Sequence, residues 1–317
     1  MEFLTDTYNN LLETSKHLLT LLLSLLIANS YATDCSDTTV IKSHLIAITQ
    51  TAQFRNYKNI DQLNKTADYI ETIFGSYSDS VFVQEYAVAG KKYKNIICSF
   101  GTENIMRIVV GAHYDVCGDQ QGADDNASGV VGLLELARLL KGQKISNRID
   151  LVAYTLKEPP YFRTEYMGSY IHAKSLADSK AYVSGMISLE MIGYFKDEAK
   201  SQSYPISLLS LFYGHKGNYI TLVKKFGAGK FIRNFNRHFR LTKAIKTKTF
   251  TGPPSLPGID FSDHLNYWRF GFNALMITDT SFYRNHNYHE PTDTIETLDI
   301  RRIAKVIDGV FNTLISL

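Results

Sequence analysis

No apolar run in the 317-residue chain reaches the roughly 18 residues expected of a membrane-spanning helix. Cysteine is sparse: Cys35, Cys98 and Cys117 allow one internal disulfide at most, and their spacing gives no zinc pattern. They read as packing residues or one optional bridge. A dominant charge is missing too, since a net charge of +3 makes no global demand for nucleic acid or an anionic membrane. Neither an internal repeat nor a low-complexity linker interrupts the chain, which argues for one domain from about residue 38 to 317. Acid is absent locally. Between Glu198 and Asp260 there is none, while eleven Lys and Arg fall in that interval, nine of them between Lys224 and Lys248. Such a stretch is either a solvated helix face or a dock for an acidic partner.

What is present is ordinary globular material, 44% hydrophobic and 21% charged, enough to bury a core. The first 32 residues stand apart. Lys16 and His17 precede the apolar stretch Leu18 to Ala28, and "NSYA" offers a small-x-small cleavage site after Ala32. This reads as a signal peptide of an exported protein. Glu2, Asp6 and Glu13 fit a leader poorly, and an amphipathic N-terminal helix is the alternative.

Further along, the apolar pattern switches between two periods. "IKSHLIAITQTAQF" and "IDQLNKTADYIETIFGSY" have helical spacing, as do Asn126 to Leu140, about Glu165 to Ser175, and about Thr294 to Ile315. "VFVQEYAV", "KYKNIICSF", "MRIVVGAHYD", residues 149–156, "GMISLEMIGYF", "ISLLSLFYG" and "NALMITDT" read as strands. Strands alternating with helices predict an α/β fold, a mixed, mostly parallel sheet between helical layers.

The polar residues at the strand ends carry the chemistry. "IVVGAHYD" ends on His113 and Asp115, "LVAYTLKE" on Glu158 and "MISLE" on Glu190. The turn "GADDNASG" supplies Asp124 and Asp125, and the loop after "ALMITD" supplies His286 and His289. Each is weak alone, Asp125 as an ordinary helix cap and His113-x-Asp115 as an ordinary hydrogen-bonded pair. Glu190 is harder to dismiss, because a carboxylate buried in an apolar strand is costly without a cation. Ligands of open α/β sheets bind at the carboxyl ends of strands. Two histidines and three carboxylates gathered there suit a divalent metal.

The order "GAHYD…GADDNASG…KE…SLEMIGY…YHEPTDT", with "GIDFSDHLNYW", resembles the M28 family of zinc aminopeptidases, which also includes the related glutaminyl cyclases. The likeness covers roughly residues 40 to 317. It implies a sheet of about eight strands, two zinc ions, and a peptide substrate with a free N-terminus. His113 and Glu190 would bind one zinc, Glu158 and His289 the other, and Asp125 would bridge them. Asp115 would orient His113, as ligand histidines generally require, and Asp263 would stand in the outer shell. Paired metals acidify a water while polarising the scissile carbonyl.

One position departs from the family. The residue before Glu158 is a glutamate there, the general base; here it is Lys157. A protonated ammonium cannot take a proton from water and is repelled by dications. The expectation is therefore an impaired aminopeptidase. Alternatives are a silent metal-binding protein that holds peptides or a partner, a glutaminyl-cyclase-like enzyme with one zinc, or activity rescued by another group such as Glu165.

Overall fold

The computed structural model describes residues 36–317. The expected leader over 1–32 lies outside the described residues. The chain opens with α1 (Thr38–Thr49), whose first turn is capped by the Asp37 carboxylate accepting the Thr39 and Val40 N–H groups. α2 (Ile60–Tyr77) follows, burying Leu63, Ala67, Ile70 and Phe74 at helical spacing. A hairpin, β1 (Ser80–Val88) and β2 (Lys91–Phe100), leads into β3 (Arg107–His113). Then come α3 (Gly129–Leu140), β4 (Arg148–Tyr154), α4 (Gly168–Asp178) and β5 (Val183–Leu189). The short α5 (Leu209–Tyr213) precedes β6 (Ile220–Lys225), α6 (Gly229–Thr242) and β7 (Thr247–Gly252). α7 (His264–Arg269), β8 (Ala274–Thr278) and α8 (Ile300–Ile315) complete the described chain.

The eight strands form one sheet in the order β1-β2-β4-β3-β5-β8-β6-β7. Its centre is parallel: β3 pairs with both β4 and β5, and β5 with β8, all in the same direction. The flanks mix both senses, with β1–β2, β2–β4 and β6–β8 antiparallel and β6–β7 parallel. Four central strands running the same way put their carboxyl ends on one edge. That alignment is what assembles the site.

Alternation along the strands divides the core between two faces. Ile108 and Val110 point into the larger cluster, with α1, α2, α3, α6 and α8. Val109 and Val152 point the other way, towards Ala173, Leu176 and Tyr267 of α4 and α7. Gly129, at the start of α3, lets that helix meet the end of β5, since a Cβ there would lie 2.5 Å from the Leu189 carbonyl oxygen. Among the described residues no helix is long and apolar enough to cross a membrane.

Some local expectations fail. "ISLLSLFYG" is not a strand: it contains α5, and Ile206, Leu208, Leu211 and Phe212 are exposed. Only its end reaches the sheet, where the Tyr213 hydroxyl donates to the Thr249 carbonyl of β7. β6 and β7, rich in Lys and Thr, supply strands that composition concealed. α3 begins at Gly129 and not at Asn126, because Asp125 and Asn126 have non-helical backbone angles. α4 begins at Gly168 and α8 at Ile300, both later than their periodicity indicates. The basic stretch runs from β6 through α6 to β7; four of its nine basic residues, Lys230, Arg233, Arg237 and Arg240, lie on the exposed face of α6, which buries Ile232, Phe235 and Phe239.

On the smaller face, His172 Nδ1 lies 2.6 Å from the Tyr267 hydroxyl, which is 2.7 Å from that of Tyr154. Burial, helped by Arg107 and Arg148 and opposed by Asp150, lowers the His172 pKa to about 4. An unfolded chain takes up this proton near pH 6.5 and the folded one only near 4, so stability is lost as pH falls through that window. The contribution is about 3 kcal/mol. Urea unfolding of His172→Gln between pH 7 and 4 should show a shallower acid loss than wild type; parallel curves would refute the assignment.

Candidate metal centre

His113 is the last residue of β3, and Glu190 directly follows β5. Glu158 lies in the loop after β4, Asp125 in the turn before α3, and His289 in the loop after β8. These five side chains meet at one edge; their shortest contacts to the histidines fall into two sets of three, and Glu158 Oε1 also lies 3.9 Å from His113 Nε2. His113 Nε2 lies 3.2 Å from Asp125 Oδ1 and 3.4 Å from Glu190 Oε2. His289 Nε2 lies 3.1 Å from both Asp125 Oδ2 and Glu158 Oε2. Asp125 thus belongs to both sets, one oxygen to each.

The backbone makes this edge by unusual turns. Leu156 (φ 56°), Met191 (φ 52°) and His289 (φ 60°) all occupy the left-handed region, at or within two residues of a candidate ligand. Such conformations are costly for side-chain-bearing residues and cluster at functional sites. Hydrogen bonds hold them. The Asp115 carboxylate accepts the Lys157 and Glu158 N–H groups at 3.1 and 3.0 Å, fixing the loop after β4. Asp293 accepts the Asp124 and Asp125 N–H groups at 2.9 and 3.0 Å. The Asn126 side chain donates to the Leu189 carbonyl and accepts from the Met191 N–H, both at 2.9 Å, gripping the backbone on either side of Glu190. Ser262 donates to Glu190 Oε2 at 2.6 Å.

Asp115 contacts His113 mainly through its backbone. His113 Nδ1 is 3.1 Å from the Asp115 carbonyl oxygen, while the nearer carboxylate oxygen is 3.5 Å away. With Nδ1–H donating to that carbonyl, Nε2 presents its lone pair to the cluster. Asp263 is fully buried and makes no hydrogen bond to the candidate ligands; burial, with Glu190 adding, pushes its pKa up to about 7. His286 is not among the groups that gather here. Glu165 is exposed, and the Tyr283 hydroxyl donates to the Pro257 carbonyl. Tyr288 stacks on His289 with ring centroids 3.8 Å apart.

Sequence reasoning missed Cys117. Its sulfur, a Glu158 oxygen and a His289 nitrogen lie within 4.8 Å of one another. The position, four residues after His113, was a signal only in combination with that histidine. Asn126, Ser262 and Asp293 were also passed over as individuals, though each sits inside a motif that stands out.

Lys157 lies in the middle of the cluster. Its Nζ is 2.9 Å from Glu158 Oε1, 3.0 Å from Glu190 Oε1 and 3.7 Å from Asp125 Oδ1. Burial opposes its charge, but Asp125, Glu158 and Glu190 outweigh burial and hold its pKa well above the usual lysine value. Burial likewise opposes ionisation of Asp125, yet Lys157 and the two imidazoles keep its pKa well below the carboxylate range. For His289 burial is overcome by Asp125, Cys117 and Glu158, which raise its pKa to about 12.

Both oxygens of Asp125 and the Nε2 atoms of His113 and His289 are buried and face one another at 3.1–3.2 Å, yet none makes a well-aligned hydrogen bond. Such orphans are rare in folded proteins and mark a missing ion or ligand. Imidazole and carboxylate donors at these separations fit a divalent metal of the zinc type.

A carboxylate-rich centre at the carboxyl edge of a mixed sheet is the architecture of a metal-dependent hydrolase. A sequence profile of Peptidase family M28 matches residues 95–314, and the chain belongs to that family. "Uncharacterized protein YfbL" of Escherichia coli K12 is 42% identical over 275 residues, 84% of each chain. Leucine aminopeptidase 1 of Arthroderma otae is 26% identical over 238 residues, 68% of this chain but 56% of that protein. Among solved structures, the LapA aminopeptidase of Legionella pneumophila superposes with a TM-score of 0.69 at 17% identity, over 88% of this chain and 71% of that one. A glutaminyl cyclase of Porphyromonas gingivalis does so with a TM-score of 0.68 at 20% identity, over 89% and 99%. Both share the fold, so the sheet and its helical layers are those of M28 aminopeptidases and glutaminyl cyclases.

The pinning of Asp125 by Asp293 makes a testable claim. Asp293→Ala should weaken zinc binding by about 10–100-fold, the usual cost of removing an outer support. Competition against a chromophoric chelator measures it; an unchanged affinity in a folded variant would refute the role.

Proposed function

We propose that the protein is a zinc-dependent exopeptidase that removes N-terminal residues from peptides, with its turnover limited by Lys157. The observation that carries this reading is the gathering of His113, Asp125, Glu158, Glu190 and His289, whose facing nitrogen and oxygen atoms are buried without well-aligned hydrogen bonds. When bound there, a divalent ion would acidify a water and polarise the scissile carbonyl.

The chain's own residues do the rest. Asp115, Asn126, Ser262 and Asp293 hold the ligand side chains in place before any substrate arrives, which is where orientation energy comes from. Lys157 occupies the position from which a carboxylate would accept the proton of the attacking water. Held charged by three carboxylates, it has no lone pair to offer. The same contacts favour a second reading, in which the protein binds peptides at this edge without cleaving them.

A specificity element adjoins the centre. Glu190 lines a cavity whose other walls include Tyr204, Tyr219, Val223, Phe250 and Met276. An apolar and aromatic chamber beside the ligands suits the side chain of a large apolar N-terminal residue.

Lys157→Glu should raise kcat for aminoacyl substrates by about 10²-fold or more, within the usual contribution of a general base. KM should move little, because proton transfer belongs to the transition state. Steady-state kinetics on metal-loaded protein decides the point. Ordinary turnover by wild type, or a metal-loaded mutant that stays inactive, would each defeat the role given to Lys157. Val223→Phe, which narrows the chamber, should lower kcat/KM for leucyl substrates by about 10-fold or more relative to alanyl ones. Equal losses on both would remove the chamber from the specificity argument.

A further inference from the structure

Resting on the metal-dependent reading above, we propose that the Lys157 ammonium stands in for one of two metal ions. The wild-type centre then takes a single divalent ion, held by His289, Asp125 and Glu158.

Three observations lead there. Lys157 Nζ reaches Asp125 through Oδ1, the oxygen that faces His113, and it holds Glu190 by Oε1. It holds Glu158 by Oε1, which lies 3.9 Å from His113 Nε2, so its contacts to Asp125 and Glu158 both use the oxygen turned towards His113. The oxygens that face His289, Asp125 Oδ2 and Glu158 Oε2, are left to the second set. The second set is also the accessible one: the His289 side chain is 26% exposed, and that of His113 is completely buried.

Charge points the same way. With both imidazoles neutral, as metal ligation requires, three carboxylates against a single ammonium leave a formal charge of −2 in a buried site. One dication closes that balance; a second would leave +2 among groups with little solvent to screen them. Removing the ammonium restores room and charge for the second ion. Lys157 is thus a positioning residue that sets metal number, independently of whether it also removes the general base.

The test counts ions. Wild type, Lys157→Met and Lys157→Arg are stripped with a chelator, reloaded with zinc and dialysed, and metal per chain is measured by mass spectrometry. One ion is expected in wild type and in Lys157→Arg, and two in Lys157→Met. His289→Ala should lose the ion, whereas His113→Ala should keep it. Circular dichroism checks that each variant is folded. If Lys157→Met does not fold, the wild-type count and the two histidine variants decide. Two ions in wild type, one in folded Lys157→Met, or loss of the ion in His113→Ala with retention in His289→Ala would overturn the proposal. Two ions in wild type would leave the hydrolase reading standing, whereas none would remove both.

Discussion

Three carboxylates buried at the end of a parallel sheet repel one another, and a cation among them is a condition of the fold. Lys157 supplies one, at 2.9 and 3.0 Å from two of them. Two unit charges about 4 Å apart interact by about 4 kcal/mol at an effective dielectric of about 20. An ammonium and a dication at that distance would therefore oppose each other by about 8 kcal/mol, comparable to the whole stability of many domains. Lysine and a full complement of metal are in direct competition. In a relative with glutamate at this position the conflict would not arise, and the same edge would attract both ions.

The rest of the structure aims the carboxylates. Parallel pairing of β3, β4, β5 and β8 places four chain reversals on one edge. Left-handed residues there turn the ligands inward, and backbone N–H groups anchored on Asp115 and Asp293 prevent relaxation. Strain of this kind persists only where the surroundings over-determine it. The ion-pair cluster is thus expensive in isolation and persists because the frame around it is rigid.

Much of this was legible in the chain. The apolar strands before His113, Glu158 and Glu190 announce themselves, and their polar ends follow by position. What could not be read was geometry that depends on backbone turns. Nothing local tells that Asp125 divides its two oxygens between two imidazoles, or that Lys157 folds back onto Glu158 and Glu190. Cys117 was misread for the same reason, since its neighbours are distant in sequence. The strand error at "ISLLSLFYG" has a different cause: an apolar run suggests burial, although Ile206, Leu208, Leu211 and Phe212 face solvent. β6 and β7 escaped because lysine and threonine weaken their alternation at the edge of the sheet.

The link between Asp125 and Asp293 spans 168 positions of the chain. His289 lies close to that distant partner, so the last part of the site arrives with the final loop before α8. The chain up to the residue after β5 already contains His113, Asp125, Glu158 and Glu190, along with the lysine that neutralises part of their charge. His289 and Asp293 come later, so a chain lacking the loop before α8 would hold Lys157 among its carboxylates but have neither the second imidazole nor the support of Asp125.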